Sequence, residues 1–292
     1  MIVRSGIRHR AAPIGIAILR VGILRLLFHV LVAGSVFVVL LPFLWILLSS
    51  VKPYADILAV PPRFFPSHLT LDNYVQALTT GNIPRYFLNS SVYSGGGAAI
   101  DILLGAPAAF ALSKFSFAGR RFLLVFVLAT QFFPAATLLI SLYRFWSSVH
   151  LFNSYASLIL TYAAFTMPVC IWLLRGFFAA VPSEIEDAAA MDGCSPLGVL
   201  FRITIPIARS GIIACAVYVF ISVWQDFILA LTLTSSDDMH PLPVGLYSFI
   251  GQFVTQWNLL LAASVIVAIP VLVLFLALQR YFIQGIAAGA VK

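Results

Sequence analysis

The chain has 292 residues, 62% of them hydrophobic and only 9% charged, with a net charge of +7. Soluble domains carry about 25% charged residues, so this composition, with a mean hydropathy of +1.04, excludes a soluble domain and defines a polytopic membrane protein. In such a chain an excess of basic residues sets orientation, and it is not read as a signal for nucleic acid.

Residues 1–25 carry Arg4, Arg8, Arg10, Arg20 and Arg25, a basic arm suited to an anionic leaflet. No cleavable signal peptide is expected, because the apolar run that follows has no clear small-residue cleavage site and is long enough to span. At about 20 apolar residues per span, residues 26–292 form one domain of six transmembrane helices. The predicted spans are 26–48, 89–112, 122–142, 155–178, 211–233 and 258–282. A Pro-rich polar stretch, 49–88, separates the first two. Short basic loops follow spans two and three. A polar island occupies 179–210, and the loop after span five has no Lys or Arg. With the N-terminus inside, thirteen of the seventeen Lys and Arg fall on the inner side, and only Lys52, Arg63, Arg85 and Arg144 outside. The bias places both termini and the island in the cytoplasm. No internal repeat of the secondary-transporter kind is evident.

Cys170, Cys194 and Cys215 have no metal or redox spacing and read as packing residues. Gly95-Gly96-Gly97 lies within a span, where it permits close helix approach rather than phosphate binding. His150 and His240 stand in outer loops without convergent ligands, so no metal site is expected, and no catalytic constellation is present.

The island carries four of the chain's ten carboxylates within nine residues: Glu184, Glu186, Asp187 and Asp192. It also has helix punctuation. Ser183 and Glu186 have capping-box spacing, with Pro182 just before. The acids sit in the first turns, where the helix dipole favours them. Ala188, Ala189 and Ala190 leave a low surface for another protein to approach. Gly193 suits the left-handed end of a helix, Ser195-Pro196 starts a second one, and Pro206 ends or kinks it. The expected shape is helix, tight turn, helix along the inner face of the membrane.

This pattern resembles the EAA motif of ABC-importer membrane subunits: E-A-A, three residues, G, nine residues, I-x-L-P. Here it reads Asp187-Ala188-Ala189, Gly193, then Ile203-Thr204-Ile205-Pro206, in the same register. Asp187 stands for Glu and Ile205 for Leu. Ser50-Val51-Lys52-Pro53, Pro61-Pro62 and Leu71-Asp72-Asn73-Tyr74 are similar to the first outer loop of maltose-type sugar permeases. The segment 115–121 is similar to their first inner loop, Trp224-Gln225-Asp226-Phe227 to their W-N-D-F stretch, and 288–292 to their tail.

The resemblance implies a type I ABC importer permease in the bacterial plasma membrane. It implies a coupling helix built from Glu186, Asp187, Ala188, Ala189, Ala190, Met191, Asp192 and Gly193, with Ile203 and Pro206 closing the motif. The implied partners are a second homologous permease, a cytoplasmic ABC ATPase dimer, an extracytoplasmic substrate-binding protein and membrane lipid. The chain lacks a G-x-x-x-x-G-K loop, so it is expected to bind no cofactor and to catalyse nothing. ATP and Mg belong on the partner ATPases. The implied cargo is a sugar or sugar-like solute, with glycerol phosphate or another non-sugar solute as the alternative. Polar groups within spans mark a pathway or a helix contact. The candidates are Asp101, Gln131, Trp224, Gln225 and Asp226. Asp101 and Asp226 would serve as relay acids in the rival reading, a proton-coupled secondary transporter.

Overall fold

Inside a bilayer every backbone donor and acceptor must be satisfied within the protein, and long apolar runs achieve this as helices. The computed structural model describes the backbone of residues 14–251 and 253–290, and the side chains of 22–251 and 253–279. Arg4, Arg8 and Arg10 of the basic arm and the last two residues of the tail lie outside the described residues.

In chain order, α1 (Ile14–Ser50) leads to the short outer helices α2 (Tyr54–Ile57) and α3 (Asp72–Thr79). Helix α4 (Ile83–Lys114) follows, then α5 (Arg120–Ala129), α6 (Ala135–Ser148) and α7 (Tyr155–Ala179). The polar island holds α8 (Ser183–Met191), α9 (Pro196–Val199), a π turn (Leu200–Thr204) and α10 (Ile205–Ile207). The chain closes with α11 (Arg209–Trp224), α12 (Ile228–Leu233), α13 (Leu242–Tyr247) and α14 (Trp257–Ala290). Residues 14–25, assigned to the arm in the sequence, are thus helical and continuous with the first span.

Among the described residues four helices are long and apolar enough to cross a membrane, and two further pairs bend by 92° and 84°, which makes six spans if each bent pair counts as one. The third span, expected as continuous over 122–142, breaks between Phe132 and Ala135. Pro134 has no N–H to continue the ladder. The fifth span also departs from the expected 211–233. Its helix stops at Trp224, and its bent partner is 196–207, in the polar island. The apolar run resumes straight after Gln225 and Asp226, so run length alone misses the stop. The cause is Asp226, whose carboxylate accepts the backbone N–H of Leu229 (3.1 Å) and Ala230 (3.2 Å) and so starts a new helix, α12.

Helices α4, α7 and α11 form the centre of the bundle. Their contact is close because glycines line it. A Cβ on Gly96 would stand 2.8 Å from Ile159 of α7, and one on Gly97 3.5 Å from Val223 of α11. The expected role of the triple glycine therefore holds for Gly96, whereas a Cβ on Gly97 would make an ordinary contact and Gly95 faces open space. Cys170 and Cys215 are fully buried and joined as a disulfide between α7 and α11, with Cα atoms 5.6 Å apart. This corrects their reading as packing residues. They lie 45 residues apart in the chain, and only the packing of the two helices brings them together. Cys194 remains free. The apolar side chains of α1 are exposed along most of its length, as on a surface facing lipid or another chain.

The segments that resemble a permease outer loop converge in the structure. Asn73 donates to the carbonyls of Ser50 (2.9 Å) and Lys52 (2.8 Å) and accepts from Asn258 (3.0 Å), while Ser50 meets the Tyr74 hydroxyl at 2.6 Å. Buried Lys52 stands over the Trp45 ring at 4.2 Å and donates to the Arg63 carbonyl. Asp56 accepts from the Ser67 N–H at 2.7 Å and from Arg63 at 2.8 Å. Ser67 first, and Arg63 after it, hold the Asp56 carboxyl below the usual carboxylate range, against an opposing effect of burial.

Two predictions follow from this packing. A Cβ at Gly245 would lie 2.0 Å from the Tyr86 ring, whereas one at Gly95 meets nothing within 4 Å. Gly245→Ala is expected to lose about 1–3 kcal/mol by overpacking, visible as a lower Tm, and Gly95→Ala to lose none. Because the folded pKa of Asp56 lies below the unfolded value of about 4, its contribution is full above that value. It is lost as pH falls through the folded pKa. Tm is expected to drop on acidification below about pH 4, and less steeply in Asp56→Asn.

Candidate functional site

The island is amphipathic and anchored on one side. Helix α8 ends in a Schellman turn: Gly193 N–H bonds Ala190 O, and Cys194 N–H bonds Ala189 O, both at 3.0 Å. Gly193 has φ +85°, and its missing Cβ would meet nothing within 4 Å, so the glycine is required by conformation and not by crowding. Ser195 then caps α9, accepting the Gly198 N–H at 3.2 Å with Pro196 at the first helical position, as its sequence indicates.

The start of α8 differs from the expected capping box. Ser183 is already helical, Pro182 occupies the N-cap, and no side chain caps the end. Glu186 turns inward instead. Its carboxylate meets the Lys114 ammonium at 2.7 Å and accepts from the Thr204 hydroxyl at 2.7 Å. Lys114 also donates to the Val181 carbonyl at 2.7 Å. Lys114 and Glu186 are 14% and 9% exposed, so the pair is largely shielded from water. Here Glu186 gains an opposite charge and a second donor, the ammonium and the hydroxyl, where a capping box would give it a single backbone N–H. The result ties α8 to the end of α4 and to the π turn that precedes α11.

The outer side of the island is open. Glu184, Asp187, Ala188, Ala190, Asp192 and Gly193 are exposed, and Met191 is 89% exposed. Leu197 and Phe201 continue this face. Of the three alanines, Ala189 is buried against the bundle, so only Ala188 and Ala190 present the low surface expected of all three. Ile203 packs inward on the core, and Pro206 is exposed. An apolar patch with a large projecting side chain, bordered by carboxylates, fits a protein partner. The anchored side can transmit a push on that patch to α4 and α11.

The pathway candidates do not gather at one place. Asp101 is fully buried between α4 and α7, where it accepts from Thr166 at 2.6 Å; its other oxygen has no partner. Gln131 sits at the third-span break and donates to the Phe165 carbonyl at 2.8 Å. Trp224, Gln225 and Asp226, expected in mid-span, mark the end of α11. Trp224 is buried, stacks on Phe220 and donates to Val267 O, which packs α11 on α14. Asp226 accepts from the Tyr162 hydroxyl at 3.0 Å. Only Gln225 of the three is exposed. Sequence reasoning missed Lys114, Thr204, Thr166 and Tyr162. Lys114, counted in a basic loop, stands at the end of α4; the other three are polar residues whose partners lie far along the chain.

Fold and anchored polar helix together define a membrane-spanning permease. Residues 101–288 match the family described as binding-protein-dependent transport system inner membrane component. The chain is 34% identical over 263 residues to the sulfoquinovosyl glycerol transport system permease protein SmoH of Agrobacterium fabrum, covering 89% of this chain and 92% of that one. It is 34% identical to the trehalose transport system permease protein SugB of Mycobacterium tuberculosis, covering 87% and 92%. The fold matches a crystal structure of a bacterial ABC transporter involved in the import of the acidic polysaccharide alginate. That match has a TM-score of 0.77 and 23% identity over 89% of this chain and 96% of that one. The chain belongs to the family of binding-protein-dependent transport system inner membrane components, and is an ABC transporter permease.

Removing one member of a buried ion pair strands the other. Lys114→Met is expected to cost about 3–5 kcal/mol, read as a lower Tm of the purified chain. Adding Glu186→Leu to Lys114→Met is expected to recover part of that loss.

Proposed function

We propose that this chain is one of two permease subunits of a bacterial importer that moves a sugar or sugar-like solute inward at the expense of ATP. The observation that carries the proposal is the two-sided island. One side is clamped to the long helices through Lys114, Glu186 and Thr204, and the other is left open around Met191 and Asp187. Such a lever needs a moving partner. An ABC ATPase dimer supplies one, since closure of the dimer on ATP would displace both permeases together. The chain has no phosphate-binding loop of its own. The basic bias of the inner loops supports a cytoplasmic α8 and cytoplasmic termini.

In this reading Glu184, Asp187, Met191 and Asp192 contact the ATPase, and Gly193 and Pro206 shape the contact. A substrate-binding protein delivers cargo to the outer loops, and a second permease completes the pore. The sugar class is supported by relatives named for sulfoquinovosyl glycerol, trehalose and diacetylchitobiose transport. Exposed Gln225 is the residue of the Trp224–Asp226 stretch available to face cargo. Asp101, Gln131, Trp224 and Asp226 hold helix contacts beside the pathway.

The deciding experiment is uptake of labelled oligosaccharides into vesicles that contain the whole complex. Uptake that requires internal ATP and survives an uncoupler supports the importer. Uptake without ATP that an uncoupler abolishes replaces it with a proton-coupled carrier. Gly193→Asp is expected to strain the left-handed turn that ends α8, a local cost at an exposed position that leaves the chain inserted, and to reduce uptake to the level of cells lacking the chain. Normal uptake by that variant at normal abundance would remove the coupling role of α8.

A further inference from the structure

Two neighbouring cavities flank α5, and neither belongs to the coupling site. The first, of about 580 Å³, lies between the loop before α5, the start of α5 and the end of α7. Arg120, Arg121 and Arg175 line it, with Phe117 and Phe122 beside them. Among the described residues none of these arginines has a carboxylate within ion-pair distance. Two are braced by backbone. Arg120 donates to the carbonyls of Ser113 and Phe115 at 3.3 Å each, and Arg175 to that of Leu112 at 3.2 Å. Their remaining N–H groups, and the whole fork of Arg121, are left for an anion.

The second cavity, of about 420 Å³, begins one turn further along α5 and α7 and also reaches α4. Its lining is apolar and includes Leu104 of α4, Phe126 and Val127 of α5, and Met167 and Ile171 of α7. The rim joining the two faces outward: Phe122 is 70%, Val125 61% and Phe126 58% exposed. Three cations therefore stand where the apolar surface of α5 begins, next to an apolar groove.

We propose that these cavities form one binding site for an anionic phospholipid. Its phosphate is held by Arg120, Arg121 and Arg175, and one acyl chain runs in the groove between α4, α5 and α7. Basic pockets between transmembrane helices are the usual seat of anionic headgroups, and the adjoining apolar groove distinguishes a lipid from a free phosphate. The site shares the end of α4 with Lys114, two residues from the Leu112 carbonyl that Arg175 holds, so the lipid braces the helix end to which α8 is tied.

The test is native mass spectrometry of the full chain, alone and in its complete complex, released from nanodiscs of mixed phosphatidylglycerol and phosphatidylcholine. Wild type is expected to retain phosphatidylglycerol selectively. Arg121→Gln, which breaks no internal hydrogen bond, is expected to weaken retention roughly fivefold, the effect of about one basic residue at an anionic surface. Ala164→Phe, which fills the groove, is expected to weaken it as well, and Arg209→Gln, elsewhere on the inner side, to leave it unchanged. Equal retention of both lipids, or no effect of Arg121→Gln, would overturn the proposal. Displacement of the lipid by millimolar inorganic phosphate would reassign the pocket to a soluble anion. Loss of the lipid on assembly of the complex would reassign the groove to a partner chain.

Discussion

The buried contact of Lys114 with Glu186 joins the polar and apolar parts of this molecule. A carboxylate and an ammonium withdrawn from water are tolerated only when each is well partnered. Here the Thr204 hydroxyl and the Val181 carbonyl complete the set. The consequence is mechanical. Helix α8 cannot move away from the end of α4 or from the π turn before α11 without leaving a charge unpaired in a poorly hydrated place. An element that would otherwise be a polar loop becomes a rigid extension of the bundle.

The bundle to which it is fixed is itself tightly made. Gly96 lets α4 approach α7, and the disulfide Cys170–Cys215 ties α7 to α11. The buried polar groups of this region serve the same end. Asp101 pairs with Thr166, and Asp226 pairs with Tyr162 while capping α12. Two acids that suggest a proton relay when seen in the sequence are each occupied by helix-to-helix contacts. By contrast α1 and much of α14 leave their apolar side chains uncovered, which suits a subunit meant to meet lipid and another chain.

Much of the candidate site is legible in the sequence because its punctuation is local. Gly193 at a left-handed position and Ser195 before Pro196 act within a few residues, so their spacing alone specifies turn and helix start. The capping box of Ser183 and Glu186 is equally local, yet the folded protein does not use it. A lysine 72 positions away by residue number offers Glu186 a stronger partner. Pattern rules hold where no distant group competes and fail where one does.

The sequence by itself determined the all-α membrane class and the position of the polar helix α8, and its motifs resemble those of ABC permeases. The class depends on composition and apolar run length, and the helix on short-range spacing. The tertiary structure alone decided which face of α8 is anchored, where spans three and five break, which cysteines pair, and that three arginines from two segments line one cavity. Those outcomes depend on groups far apart in the chain meeting at distances of a few ångströms. Interaction energy at that range is set by packing geometry, which a linear pattern does not contain.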